Sequence, residues 1–232
     1  MRSSLRDQLP LPFKHLPQFH QHSYVVGEGN KLAFQWLQEW PNWSTPGLVI
    51  HGPIGAGKTH LAYIWQNLAK ATYFKAYNLT QTQVATLIEA PNHVVIDEFT
   101  APNFQQEQLL FHLYNVIKSA KKSLLVMSPV SPKSWKISLP DLRSRLSTLG
   151  VVPLEDPDDN LIKAIMLKRF SDYQVIVDER TLNYLLHHVE RSYPAIHRWI
   201  DILYQHSLAN HRRITIPLIK QLQETYLCPK SA

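Results

Sequence analysis

The chain has 232 residues, 44 % of them hydrophobic and 18 % charged, with a single cysteine and a formal charge of +6. That is length for one to two domains and enough apolar material for a globular core, which excludes general disorder, while the lone Cys228 excludes an internal disulfide and fits a reducing cytoplasm. No apolar run approaches the ~20 residues that cross a bilayer and no signal-peptide stretch opens the chain, so no membrane partner is expected; the positive charge suits a DNA-associated partner but is gathered into no block.

Residues 1–23 are rich in Pro, Gln and His and carry neither helical nor strand period, so they read as an extended arm. From Asn30 the apolar positions Leu32, Phe34, Trp36 and Leu37 predict a short amphipathic helix ending near Pro41. Gly47–His51 is an apolar run entering a glycine-rich turn, a buried strand. Beyond Lys58, the positions Leu61, Ile64, Trp65 and Leu68 keep helical spacing. Residues 72–77 are β-branched and aromatic, a second strand. Residues 80–89 read as helix and 93–97 as a third strand. Leu109, Leu110, Leu113, Val116 and Ile117 line one face of the next helix. Residues 123–128 form a fourth strand and 151–154 a fifth. Strands alternating with helices imply an α/β fold, a mainly parallel sheet covered on both faces, over residues 24–156.

Residues 157–232 read as a small all-helical domain. Helices are expected over 158–170, around Leu182, Leu185, Leu186 and Val189, around Ile196, Trp199, Ile200 and Leu203, and over 215–226.

Between the first strand and the helix after it lies Gly52-Pro53-Ile54-Gly55-Ala56-Gly57-Lys58-Thr59, a complete G-x-x-x-x-G-K-[ST] phosphate loop. Glycines let the backbone fold around an anion with its N–H groups inward, and the helix offers its positive N-terminus to the same charge. Lys58 can reach the β- and γ-phosphates, and the Thr59 hydroxyl can ligate Mg2+. The strand Val94-Val95-Ile96-Asp97 ends in a carboxylate at the sheet edge. This places Asp97 beside the same metal and Glu98 where it can orient an attacking water. The expected cofactors are therefore ADP or ATP with Mg2+. Twelve histidines show no zinc-site spacing.

At these residues the sequence resembles the AAA+ ATPases of the DnaA replication initiator family, over most of residues 19–226. Residues 24–30 look like that family's adenine-side loop, which implies that Val25 and Val26 contact the base. His60 and Leu61 follow Lys58-Thr59 as in this branch. The segment 139–146 resembles the one bearing an arginine finger, which puts the finger at Arg145, and the helical tail resembles the AAA+ lid. Residues 212–220 look like the last lid helix of the regulatory branch, the Hda proteins, which keep the ATPase module without the initiator's DNA-binding domain. In the arm, Gln8, Leu9, Leu11 and Phe13 look like that branch's sliding-clamp-binding peptide. Physically, Gln8 can hydrogen-bond at a cleft mouth while the apolar three fill pockets along a proline-stiffened strand.

The resemblance implies a cytoplasmic regulator of replication initiation with the clamp and the initiator DnaA as partners. DNA would be reached through the clamp, and self-association is open. Two departures stand out. Pro129 occupies the position of an acid at the end of the fourth strand, which leaves Ser128 as the candidate phosphate sensor. Pro194 occupies the place of the lid arginine, for which Arg191 and Arg198 are nearby substitutes. Both departures predict slow hydrolysis in the chain's own site. A helicase-loader adaptor and a self-contained ATPase remain the alternatives.

Overall fold

The computed structural model describes residues 23–227 except Ala101 and His211. The expected arm, with Gln8, Leu9, Leu11 and Phe13, lies outside the described residues but for Ser23. In chain order the elements are α1 (Glu28–Glu39), β1 (Gly47–His51), α2 (Lys58–Ala69), β2 (Thr72–Lys75), α3 (Gln81–Glu89), β3 (Val94–Asp97), α4 (Phe104–Ser119) and β4 (Leu124–Ser128). Then follow α5 (Pro140–Leu146), β5 (Gly150–Pro153), α6 (Asp159–Asp172), α7 (Glu179–His188), α8 (Tyr193–Asn210) and α9 (Ile216–Leu227).

Five strands form one sheet in the order β2-β3-β4-β1-β5, and all four pairings are parallel. Consecutive side chains of a strand point to opposite faces, and each face buries its own set. Val49, Val94, Ile96, Leu124 and Val126 pack with Leu113 of α4 and Leu142 of α5. Leu48, Ile50, Val95, Leu125, Met127 and Val152 pack with Ala33 of α1 and with Leu61 and Trp65 of α2. A strand buried on both sides reads as a continuous apolar run, as β1, β3 and β4 do. The predicted second strand is shorter than expected. It stops at Lys75, because Ala76–Asn78 turn into a single 3₁₀ turn. The first helix starts at Glu28, not Asn30, since Asn30 turns its side chain back to accept from Gly27 N–H at 2.8 Å.

The tail builds a third core. Ile162, Met166 and Phe170 of α6, Leu182 and Leu185 of α7, Ile200 and Leu203 of α8 and Ile219 of α9 are buried against one another. Asp158 and Asp178 cap α6 and α7, accepting from the N–H of Leu161 and Thr181 at 2.7 and 2.8 Å, which satisfies donors a helix start leaves open. α6 joins the cores, because its Leu161 packs in the sheet-side cluster while Ile162 packs in the tail. Within the first sheet-side core, Glu107 of α4 is 1 % exposed. Its carboxylate accepts from the N–H groups of Ser138 and Leu139, both at 2.8 Å, and so fixes the start of α5.

Candidate functional site

The turn between β1 and α2 bends at Gly55 (φ +83) and Gly57 (φ +84), in the left-handed region that side chains resist. Space is equally restrictive. A Cβ on Gly57 would lie 2.9 Å from the Tyr24 ring, and one on Gly55 2.9 Å from Tyr193 Cβ. The loop is thus clasped between the segment before α1 and the lid helix α8. Inside it the Lys58 ammonium donates to the carbonyls of Gly52 at 2.8 Å and Pro53 at 2.7 Å. Burial lowers the Lys58 pKa, and the nearby Asp97 carboxylate opposes that shift.

At the end of β3, Asp97 is 1 % exposed and saturated with donors. Its Oδ2 accepts from the Thr59 hydroxyl at 2.8 Å and the Tyr73 hydroxyl at 2.7 Å, and its Oδ1 from Glu98 N–H at 2.7 Å. Burial, and then the bond to Asp97, raise the Tyr73 pKa, so Tyr73 stays a donor. A hydroxyl and a carboxylate in contact are hard oxygen donors of the kind magnesium takes, so Thr59 and Asp97 fit that ion. Glu98 sits at φ +56, unusual for a residue with a side chain. Its carboxylate is bonded by Lys75 of β2 at 2.8 Å, and that bond raises the Lys75 pKa.

These groups open on one cleft of about 810 Å3. Its sheet wall holds residues 54–60 with Asp97 and Glu98, and Val25 and Asn30 stand at the α1 side beside Tyr24. His60 meets the Tyr24 ring edge-on, 5.2 Å between centroids. The opposite wall is the lid: Ile165, Lys168, Arg169 and Asp172 of α6, with Tyr193 and His197 of α8.

Most of the sequence-predicted residues thus converge, since Val25, Ile54, Gly55, Ala56, Gly57, Lys58, Thr59, His60, Asp97 and Glu98 share the cleft. Gly52 and Pro53 serve through the carbonyls that hold Lys58. Val26 is outside the lining and 45 % exposed. Ser128 is fully buried, and its hydroxyl is engaged elsewhere. It donates to Val130 C=O at 2.8 Å and accepts from Val130 N–H and from Trp135 Nε1 at 3.2 and 3.1 Å. Trp135 in turn packs on Phe99, centroids 4.4 Å apart, and Pro129 takes the place in the wall. Arg191 pairs with Asp159 at 3.1 Å, and neither it nor Arg198 lines the cleft. Arg145 lies apart as well. Its guanidinium covers the Phe111 ring at 4.6 Å and donates to Asn115, while Arg143 donates to the Ile137 carbonyl.

Sequence reasoning missed Tyr73, Lys168, Arg169 and His197. The adjacent Lys168-Arg169 pair on a predicted helix was the available signal, but only the packing of α6 and α8 turns those side chains into the cleft.

With the geometry in place, comparison with known proteins adds the following. Residues 158–222 match the family model described as "Hda, lid domain". An uncharacterised Haemophilus influenzae protein is 29 % identical over 237 residues, covering 94 % of this chain and 99 % of that one. The chromosomal replication initiator DnaA of Buchnera aphidicola is 22 % identical, covering 90 % of this chain and 51 % of the initiator. The chain thus spans about half the length of that initiator. Among solved structures, domain III of Thermotoga maritima DnaA superposes with a TM-score of 0.78 at 21 % identity, over 92 % of this chain and 99 % of that one. AMPPCP-bound DnaA from Aquifex aeolicus superposes with a TM-score of 0.68 at 22 % identity, over 81 % and 65 %. The fold is that of the AAA+ module, a parallel five-stranded sheet followed by a helical lid.

Proposed function

We propose, from the premise that the chain is a DnaA-like AAA+ protein with an Hda-type lid, that it is a nucleotide-binding regulator of replication initiation acting on the initiator's ATP. ADP or ATP is held by the backbone of residues 52–57 and by Lys58, with the base toward Tyr24 and Val25. Thr59 and Asp97 would hold Mg2+, which when bound neutralises phosphate charge. The clamp-binding-like segment, Gln8 to Phe13, would tether the chain to the sliding clamp and so to DNA.

The observation that carries the regulatory reading is the place of Arg145. It is a cation on a short helix, supported by Phe111 and Asn115, and it does not line its own cleft. An arginine so placed can serve a neighbour's nucleotide. Against a γ-phosphate its planar fork stabilises transition-state charge, and such fingers contribute about 10³–10⁵-fold. The chain's own site is poorly equipped by comparison. Ser128 is tied to Val130 and Trp135, and Glu98 is tied to Lys75.

The test is stimulation of DnaA ATP hydrolysis on clamp-loaded DNA. Arg145→Ala should bind nucleotide and clamp normally and fail to stimulate, Arg145→Lys should not restore it, and Arg143→Ala should behave as wild type. Full stimulation by Arg145→Ala removes the proposal. The helicase-loader reading requires no clamp affinity, so clamp binding that disappears in Leu11→Ala/Phe13→Ala decides against it. A self-contained ATPase would turn over alone at about 1–10³ s⁻¹.

A further inference from the structure

The carboxylate of Asp97 is gripped by more donors than its placement needs. One oxygen, Oδ1, accepts from Glu98 N–H at 2.7 Å, and the other, Oδ2, from the Thr59 hydroxyl at 2.8 Å. A bond at each oxygen already fixes the plane of the group. The Tyr73 hydroxyl adds a second donor to Oδ2, at 2.7 Å.

Tyr73 reaches Asp97 from the neighbouring strand. In the parallel pairing of β2 with β3, Tyr73 stands level with Val95 and Lys75 with Asp97. The phenol therefore runs two residues, about 6.6 Å, along the strands to the carboxylate. Residues two apart point to one face of a sheet, and on this face Tyr63 of α2 is stacked on the Tyr73 ring, centroids 4.9 Å apart and planes within 8°. The helix that begins in the phosphate loop and carries Thr59 thus also holds the ring that aims the hydroxyl.

A carboxylate offers about four acceptor sites. Thr59 and Tyr73 fill those of Oδ2, and Glu98 N–H fills one of Oδ1, so a single site on Oδ1 is left. Asp97 lines the cleft although it is only 1 % exposed, and a cation arriving there meets it at one point. Magnesium keeps several of its waters, and their hydrogens need acceptors. Each acceptor taken by a hydroxyl is one that the hydrated ion cannot use.

We propose that Tyr73 restrains the metal affinity of the site: by filling the second acceptor of Asp97 Oδ2, its hydroxyl leaves the nucleotide to Lys58 and the loop backbone, with little gain from magnesium. Tyr73 is a positioning residue, acting through Asp97. The inference rests on the nucleotide reading above and deepens it, from which residues hold the metal to how strongly nucleotide binding depends on it.

Calorimetric titration of the full chain with ADP, in magnesium chloride and in EDTA, tests it, because the ratio of the two affinities is the magnesium gain. In wild type that gain should be no more than a few-fold. Tyr73→Phe keeps the ring against Tyr63 and removes only the hydroxyl. Its gain should be larger by about tenfold, the scale of one hydrogen bond to a charged group. In an Asp97→Asn background the same change should leave the gain as it stands, because the two residues act through one group. A purely structural tyrosine predicts a lower melting temperature with the wild-type gain, and that result overturns the proposal. A smaller gain in Tyr73→Phe than in wild type also overturns it, since the hydroxyl would then support the metal site. Should Tyr73→Phe fold poorly, a wild-type gain well above tenfold, more than one such bond supplies, overturns it without any variant. If the wild-type chain binds ADP in neither buffer, the nucleotide reading itself fails and this inference falls with it.

Discussion

On the sheet side of the cleft the polar groups are locked to one another. Lys58 is bonded to two loop carbonyls, and Asp97 to two hydroxyls and an amide. On the lid side the cations pair with acids that water reaches, since Asp172 is 38 % and Asp201 54 % exposed. The first arrangement is preorganised, so little must be rearranged when an anion arrives. The second is built of partly exposed pairs that are individually weak and hold the lid's cations less firmly. A rigid cradle that binds and a lid that responds is the division of labour this difference suggests.

The largest effect should come from the cradle. Lys58→Ala is expected to abolish the ADP-induced thermal shift, an affinity loss of about 100-fold or more, since a half-buried charge-assisted contact goes. A retained shift would move nucleotide binding away from the loop. The next test separates the two regions as folding units. Ile200 is fully buried in the lid core, and Ile200→Ala should cost about 2–5 kcal/mol. Hydrogen exchange should then show faster exchange in α6–α9 while β1 and β4 keep their protection. Uniform loss across the sheet would mean that lid and body open as one.

A smaller effect is expected at the border of the cradle. Lys75→Ala frees Glu98 from its ion pair and, on the proposed reading, should raise ATP turnover by the isolated chain by a few-fold, with the melting temperature unmoved. A fall in turnover would show that Lys75 holds Glu98 in its working position. The smallest effect is in pH. Burial, and then the charge of Arg169, lower the His197 pKa, opposed by Gly55 and by Asp201. The folded lid therefore prefers the neutral ring. The stability this gives is complete above about pH 6.5, the ordinary histidine value, and is lost as pH falls toward the lower folded value. His51 and His93 shift in the same direction, so His197→Gln should flatten the decline of melting temperature below neutrality only in part. An unchanged pH profile would remove His197 from the effect.

What the sequence disclosed, and what it withheld, follows the same boundary. The phosphate loop, the β3 carboxylate and the parallel sheet are legible because each depends on neighbours in sequence: glycines at fixed spacing, an apolar run, a strand leading into a helix. The surroundings of Ser128 and Arg169 are not local. Ser128 ends its strand as a sensor should, yet Trp135, seven residues on, takes its lone pair. Arg169 sits on a helix whose apolar residues serve three neighbours: Leu161 the sheet side, Ile162 and Phe170 the lid core, and Ile165 the cleft. Such a helix shows no single apolar face, so its inward cation was not distinguishable from a surface one. Arg191 and Arg198, the substitutes offered near the missing lid arginine, stand outside the cleft lining, whereas Arg169 of α6 is within it.

The bond between Trp135 and Ser128 also gives the molecule an optical gauge. Of its six tryptophans, Trp36, Trp40, Trp43 and Trp65 gather on the α1–α2 side of the sheet, and Trp199 lies in the lid core. Trp135 alone sits against Phe99 and on Ser128, joining the ends of β3 and β4. An indole's emission follows its hydrogen bond and its packing. In a chain whose other five tryptophans are replaced by phenylalanine, the colour of Trp135 would report events at the strand ends, in real time and without an attached dye.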